Sequence, residues 1–316
     1  MSKPSQRRLV LLGPQPEYVS LREALGRLDI TSPVAFVTAG WEDEENDPQQ
    51  LQPLVDALPA GSFNLNLFER SEQLFADDSE VIELLRDRQD ELRHLRDVYR
   101  MRLDCALDAA RRVVRRQEEL IDIQPERESA IDMVRQLDRD YFERTGVICH
   151  DYERRLGTAR RPQVKLHREK ISKQLDQAAA IVISGGHAAI ILNRLKIFGL
   201  LETHTKLPII AWSAGAMALS QRVVFFHDSP PQGRGNPEVL RAGMALFRKY
   251  LPLPDARNRL RLDDKLRVEL FSRRFNSHQC VIFDEHTLLD RKRGRWTVSD
   301  RAQRLGENGQ LVQVSA

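Results

Sequence analysis

Between Ser79 and Leu120 the chain runs for about forty residues without a glycine or a proline, in text dominated by Arg, Glu, Asp and Leu. Apolar residues recur there at three- and four-residue steps, through Leu85, Leu92, Leu95, Val98, Leu103, Leu107, Ala110 and Val113. That spacing predicts one helix, roughly 60 Å long at 1.5 Å per residue. No compact domain needs such an element, so this stretch dictates the organisation of everything around it. Pro125 ends the run, and "RESAIDMVRQLDRDYFERTG" predicts a second helix over 127–146, closed by Gly146. A third helix is expected at 164–179. Residues 75–178 therefore read as a coiled-coil-like helical hairpin set into another domain, with imperfect heptads that favour an intrachain antiparallel pair. Its alternating charges suit a solvated surface. Its excess length suits an arm that binds a protein partner or a second copy.

The flanking text has a different grammar. "RRLVLLG" (7–13) and "PVAFVTAG" (33–40) are short apolar runs separated by an amphipathic segment at 17–28, and "FNLNLFE" (63–69) predicts a third strand. After the insertion come "AAIVISGGH" (179–187), a helix at 188–202, "LPIIAWS" (207–213), a helix at 214–221 and "RVVFFHD" (222–228). Strands alternating with helices predict an α/β domain with a mainly parallel sheet flanked by helices, split into 1–74 and 179–316. The final segments, 280–290, 294–300 and 309–314, predict antiparallel strands joined by turns.

Bulk properties exclude several classes. A net charge of +3 gives no basis for nucleic-acid binding. Cys105, Cys149 and Cys280 lie far apart without CxxC spacing, which argues against a metal site or disulfide framework and fits a cytoplasmic protein. No apolar segment is long enough for a membrane span or a signal peptide. Without GxGxxG, P-loop or clustered Cys/His ligands, no cofactor or metal is expected.

The chemistry concentrates in "AWSAGAM". A serine between strand and helix, with small residues two before and two after it, has the form of a nucleophile elbow. Ala211 and Gly215 satisfy that steric requirement around Ser213. The helix starting at Ala214 turns its amides toward the serine, making the Ala214 N–H one oxyanion donor. Gly185-Gly186, at the preceding strand end, can bring a second amide close.

Together, "IVISGGHAAIILNRL", "LPIIAWSAGAMALS", "VIFDEHTLL", "GRWTVSD" and "GQLVQV" resemble the dipeptidase E–cyanophycinase family of serine peptidases. The resemblance covers about 7–70 and 179–316. It implies a flavodoxin-like, class I glutamine amidotransferase-type fold and hydrolysis of a small peptide or amide through an acyl-enzyme on Ser213. It also implies oxyanion donors at Gly186 and Ala214, and an acidic triad member at Asp228. The chain departs from that pattern in two places: Leu253 stands where the family has its catalytic histidine, and His187 replaces the usual asparagine after the Gly pair. Either another histidine, His187 or His227, activates Ser213, or the chain is an inactive relative that works through its helical insertion.

Overall fold

The computed structural model describes residues 7–226 and 235–315. The chain begins with β1 (Leu9–Leu12), α1 (Val19–Arg27), β2 (Ala35–Val37), a 3-10 segment (Ala39–Glu44), α2 (Pro48–Ala57), β3 (Phe63–Asn64) and α3 (Leu67–Asp77). The insertion follows as α4 (Ser79–Arg115), α5 (Gln124–Leu156) and α6 (Pro162–Leu175). The α/β text resumes with β4 (Ile181–Ile183), α7 (Ala188–Ile197), α8 (Leu200–Thr203), β5 (Ile209–Trp212), α9 (Ala214–Leu219) and β6 (Arg222–Phe225). Last come β7 (Glu238–Ala242), β8 (Tyr250–Pro254), α10 (Ala256–Arg259), α11 (Lys265–Arg274), β9 (Gln279–Phe283), β10 (Leu288–Lys292), β11 (Arg295–Val298), β12 (Gln303–Leu305) and β13 (Leu311–Gln313).

The main sheet has seven strands in the order β11-β10-β1-β5-β4-β2-β3. Strands β3, β2, β4, β5 and β1 are parallel, and β10 and β11 add an antiparallel edge. β2 to β5 follow the relative order of the first four flavodoxin strands, and β1 fills the fifth place. Alternation along each strand supplies two cores. Leu9, Leu11, Val37, Ile181, Ile183 and Ile209 face the side that carries α7, α9 and the insertion. Val10, Leu12, Phe36, Val182 and Ile210 face α1 and α2. With both faces covered, the parallel strands read as continuous apolar runs.

The structure corrects several sequence-based boundaries. Only Phe63–Asn64 of the segment 63–69 is strand. From Leu67 the chain is helical, because Leu67, Ser71 and Leu74 bury one face at helical spacing. α5 does not stop at Gly146, where a side chain would meet open space. It continues to Leu156 and ends at Gly157, whose φ of 52° is the left-handed conformation of a helix C-terminus. Gly199, at φ 58°, likewise splits 188–202 into α7 and α8. The apolar run 280–290 is two strands in different sheets: β9 pairs with β8 and β12, whereas β10 joins β1. The hydroxyl of Thr287 ties the turn between them, accepting from Asp284 N at 3.1 Å and donating to Ile282 O at 3.2 Å. β7, absent from the sequence reading, pairs with β6.

α4 and α5 form the expected antiparallel pair, with Tyr99 stacked on Tyr141 at 4.0 Å between ring centres. The pair does not stand free of the body. Arg274 of α11 donates to both carboxylate oxygens of Asp138 at 2.6 Å and to Tyr99 Oη at 2.9 Å. Tyr99 Oη donates to Asp138 at 2.8 Å and accepts from Val239 N at 3.2 Å. Arg96 and Arg100 both pair with Glu238 on β7. The hairpin is therefore bolted to the α/β body along its middle.

Candidate active site

β5 delivers the chain to Ser213 at the carboxyl edge of the sheet, where open α/β sheets place their ligand crevices. Ser213 has φ 48° and ψ −119°, a backbone conformation rarely tolerated by a residue with a Cβ. It persists because its surroundings fix it. Ser213 N donates to Leu12 O at 3.1 Å, and Ser213 O accepts from Met217 N at 3.0 Å. A Cβ on Gly215 would lie 2.5 Å from Ser184 O, so only glycine lets α9 pack against the end of β4. Ala211 and Ala214 are buried on either side.

The Gly pair is layered against this turn. A Cβ on Gly185 would lie 3.2 Å from Ser213 Cβ. Gly186 takes φ 110°, and a Cβ there would sit 2.2 Å from Gly40 O. Gly40 O also accepts the His187 amide at 2.7 Å, which locks the β4–α7 loop to the loop after β2. The first amides of α9, at Ala214 and Gly215, have no intrahelical acceptor by virtue of their position. Ser213, Ala214, Gly185, Gly186 and His187 all line one cleft of about 850 Å³.

His187 caps α7. Its Nδ1 accepts from Ile190 N at 3.4 Å, and its ring meets Phe225 edge-on at 6.5 Å. A neutral ring with an accepting Nδ1 carries its proton on Nε2. Among the described residues, none hydrogen-bonds Ser213 Oγ. His227 and Asp228 lie outside the described residues. Leu253 is fully buried on β8, and the neighbouring cleft wall is formed by Pro254, Asp255 and Arg259. His278 and His286 do not line the cleft.

Several cleft residues escaped the sequence reading. Tyr18 enters from the β1–α1 loop, meets Trp212 edge-on at 6.1 Å, and has its phenol pKa raised by burial. Trp41 and Glu42 enter from the loop after β2. Glu42 takes φ 60° and ψ −126°, almost the conformation of Ser213. Asp255, also left-handed at φ 55°, pairs with Arg259 at 3.7 Å. The signal for these residues was positional: each lies in the segment that follows the carboxyl end of a strand, β1 for Tyr18, β2 for Trp41 and Glu42, and β8 for Asp255.

No known family model matches this sequence, and no curated protein matches it. One solved structure to which this chain is similar is a peptidase from an acI-B1 Actinobacterium, 14% identical, with 98% of this chain and 94% of that one covered at a TM-score of 0.43. A likeness that loose carries no argument about this chain. Among the described residues, no helix is long and apolar enough to cross a membrane, and no group of three or more His, Cys, Asp and Glu side chains is placed to hold a metal.

Proposed function

We propose that this protein is a serine hydrolase of small peptides or amides, of the dipeptidase E–cyanophycinase type, with Ser213 as nucleophile. The observation that carries this reading is the strained Ser213 backbone at a strand-to-helix turn facing an 850 Å³ cleft. Strain at a non-glycine residue persists only where the surrounding structure enforces it, and it gathers at functional sites. Ser213 Oγ attacks the substrate acyl carbon, and the carbonyl electrons move onto an oxygen held by the Ala214 and Gly186 amides. The serine proton passes to a base, collapse expels the amine with that proton, and water hydrolyses the acyl-enzyme by the same steps.

His187 is the first candidate for that base. In its capping position the ring offers Nδ1 to Ile190 N, so activating Ser213 requires giving up a long 3.4 Å bond. An exposed ring on a weak cap can turn at small cost. Asp228 belongs to the reading as the acidic member. Fluorophosphonate labelling tests it directly: wild type is expected to label, Ser213→Ala not at all, and His187→Gln far more slowly. Equal labelling of wild type and Ser213→Ala overturns Ser213 as the nucleophile.

A second reading, an inactive relative that associates through its hairpin, draws support from two observations. Ser213 has no bonded imidazole among the described residues, and Leu120 and Ile121 in the α4–α5 turn are 94% and 62% exposed. Light scattering on Leu120→Asp/Ile121→Asp separates the readings. A mass reduced from that of wild type supports association through the tip, and an unchanged mass removes it.

A further inference from the structure

Two arginines meet at the root of the hairpin without a counter-ion. Arg88 lies on α4, about three turns before Tyr99, and Arg241 lies on β7. Both are nearly closed to solvent, at 5% and 6% exposure. Each donates from Nη2 to the same acceptor, Asn193 Oδ1 of α7. Arg241 also reaches Ala189 O at 3.4 Å and Cys149 Sγ at 4.0 Å. Among the described residues those are all the acceptors the pair has, and the buried Arg88 Nε has none.

None of these acceptors is a carboxylate. The Asn193 oxygen has two lone pairs to share between two cations, and a thiol is a weak acceptor. Glu153 acts on Arg88 through space alone and is held by Lys196 at 2.7 Å. Glu238, also on β7, is already shared by Arg96 and Arg100. Two positive charges therefore sit where a charge is costly unless it is paired. Proton loss does not relieve them. Burial, reinforced by the Arg241 charge, pushes Arg88 from 12.5 down to about 10, which leaves it charged at neutral pH. An anion from solution would satisfy such a pair, and side chains this enclosed admit a single atom more readily than an organic molecule.

We infer that Arg88 and Arg241, joined through Asn193, form a binding site for a monatomic inorganic anion such as chloride, which ties the hairpin to α7 and β7. The inference takes nothing from the chemistry proposed for Ser213. Urea unfolding of the full chain tests it, with sodium gluconate replaced stepwise by sodium chloride. Holding the ionic strength constant removes general screening. An ion bound by the folded chain alone multiplies the folded-to-unfolded ratio by about ten for each tenfold rise in its concentration, once the site is filled. Wild type is expected to approach that slope, and Arg88→Met and Arg241→Met to give a flat response. Each variant removes one of two like charges, so both should fold in gluconate. Sulfate in place of chloride should stabilise wild type and Arg88→Met alike, through its exclusion from the protein surface. A chloride response equal in wild type and both variants overturns the site, as does a flat response in wild type. If a variant does not fold, the chloride NMR linewidth with wild type decides. Broadening that bromide displaces supports the site, and the absence of broadening overturns it.

Discussion

The seam between hairpin and body and the cleft above β5 treat polar groups in opposite ways. At the seam, Arg274 and Asp138 are almost wholly buried, and each carboxylate oxygen, the guanidinium and the Tyr99 hydroxyl has a partner. In the cleft, Ser213 and Glu42 stand in strained backbone, and neither side chain has a hydrogen-bond partner among the described residues. A satisfied buried network fixes one packing arrangement. Side chains that no protein group engages, set on strained backbone in a cleft, stabilise the fold little and leave their polar atoms open to a ligand. The difference separates the part of the molecule built for stability from the part we propose is built for chemistry.

Removing one partner from the seam is expected to have the largest effect. Asp138→Ala leaves the Arg274 charge buried, and equilibrium unfolding in urea should show a loss of about 3–5 kcal/mol. The double substitution Asp138→Leu/Arg274→Met should be markedly milder than the single one, since no charge is then stranded. A single substitution that costs under about 1 kcal/mol would mean that water reaches the seam, erasing the contrast with the cleft.

Next in size is the packing that makes the elbow. Gly215→Val pushes side-chain carbons into Ser184 O and Ile183 O, already 2.5 and 2.8 Å from a bare Cβ. Overpacking of this kind should cost about 1–3 kcal/mol in the same urea assay and displace Ser213 enough to suppress labelling. Ser213→Gly should act in the other direction. It relieves a positive-φ residue and is expected to stabilise the fold by about 1 kcal/mol while abolishing labelling. A destabilising Ser213→Gly would show that the serine side chain contributes to packing and that its strain is not a functional investment.

Much of this frame was legible in the sequence, and the parts that were not have physical reasons. The strand–helix alternation and the long glycine-free helix are local patterns, so β1, β2, β4, β5 and the hairpin stand where periodicity puts them. "AWSAG" and the Gly pair were legible because steric demands at a tight turn leave few residue choices. Gly146 misled because a helix tolerates glycine at a cost of about 1 kcal/mol, whereas Gly157 ends α5 by adopting positive φ. The docking of the hairpin was invisible, since Asp138 and Arg274 are 136 positions apart in the chain and neither looks different from its exposed neighbours. Glu42 was hidden inside "WEDEE", a run that resembles a solvated turn until the fold brings Glu42 to the cleft.

The smallest effect concerns pH, and it divides the seam from the rest of the body by window. At the seam, burial raises the Glu238 pKa, but the hydrogen bonds and charges of Arg96 and Arg100 outweigh it and hold the carboxyl below its ordinary 4.5. A carboxylate with a depressed folded pKa stabilises above 4.5, and that contribution is lost as the pH falls through the folded value. His278, immediately before β9, lies in a different environment. Burial, with a smaller push from Arg222, lowers its pKa from 6.5 to about 4. Below pH 6.5 the unfolded chain takes up a proton that the folded chain refuses, so stability falls between 6.5 and about 4. Urea midpoints measured from pH 7.5 to 3.5 should therefore decline in two stages. His278→Gln should flatten the upper stage alone, and Glu238→Gln the lower one alone. If Glu238→Gln flattened the decline above pH 5, the carboxylate would not be held by its two arginines, and the seam would lose its claim to be the satisfied half of the molecule.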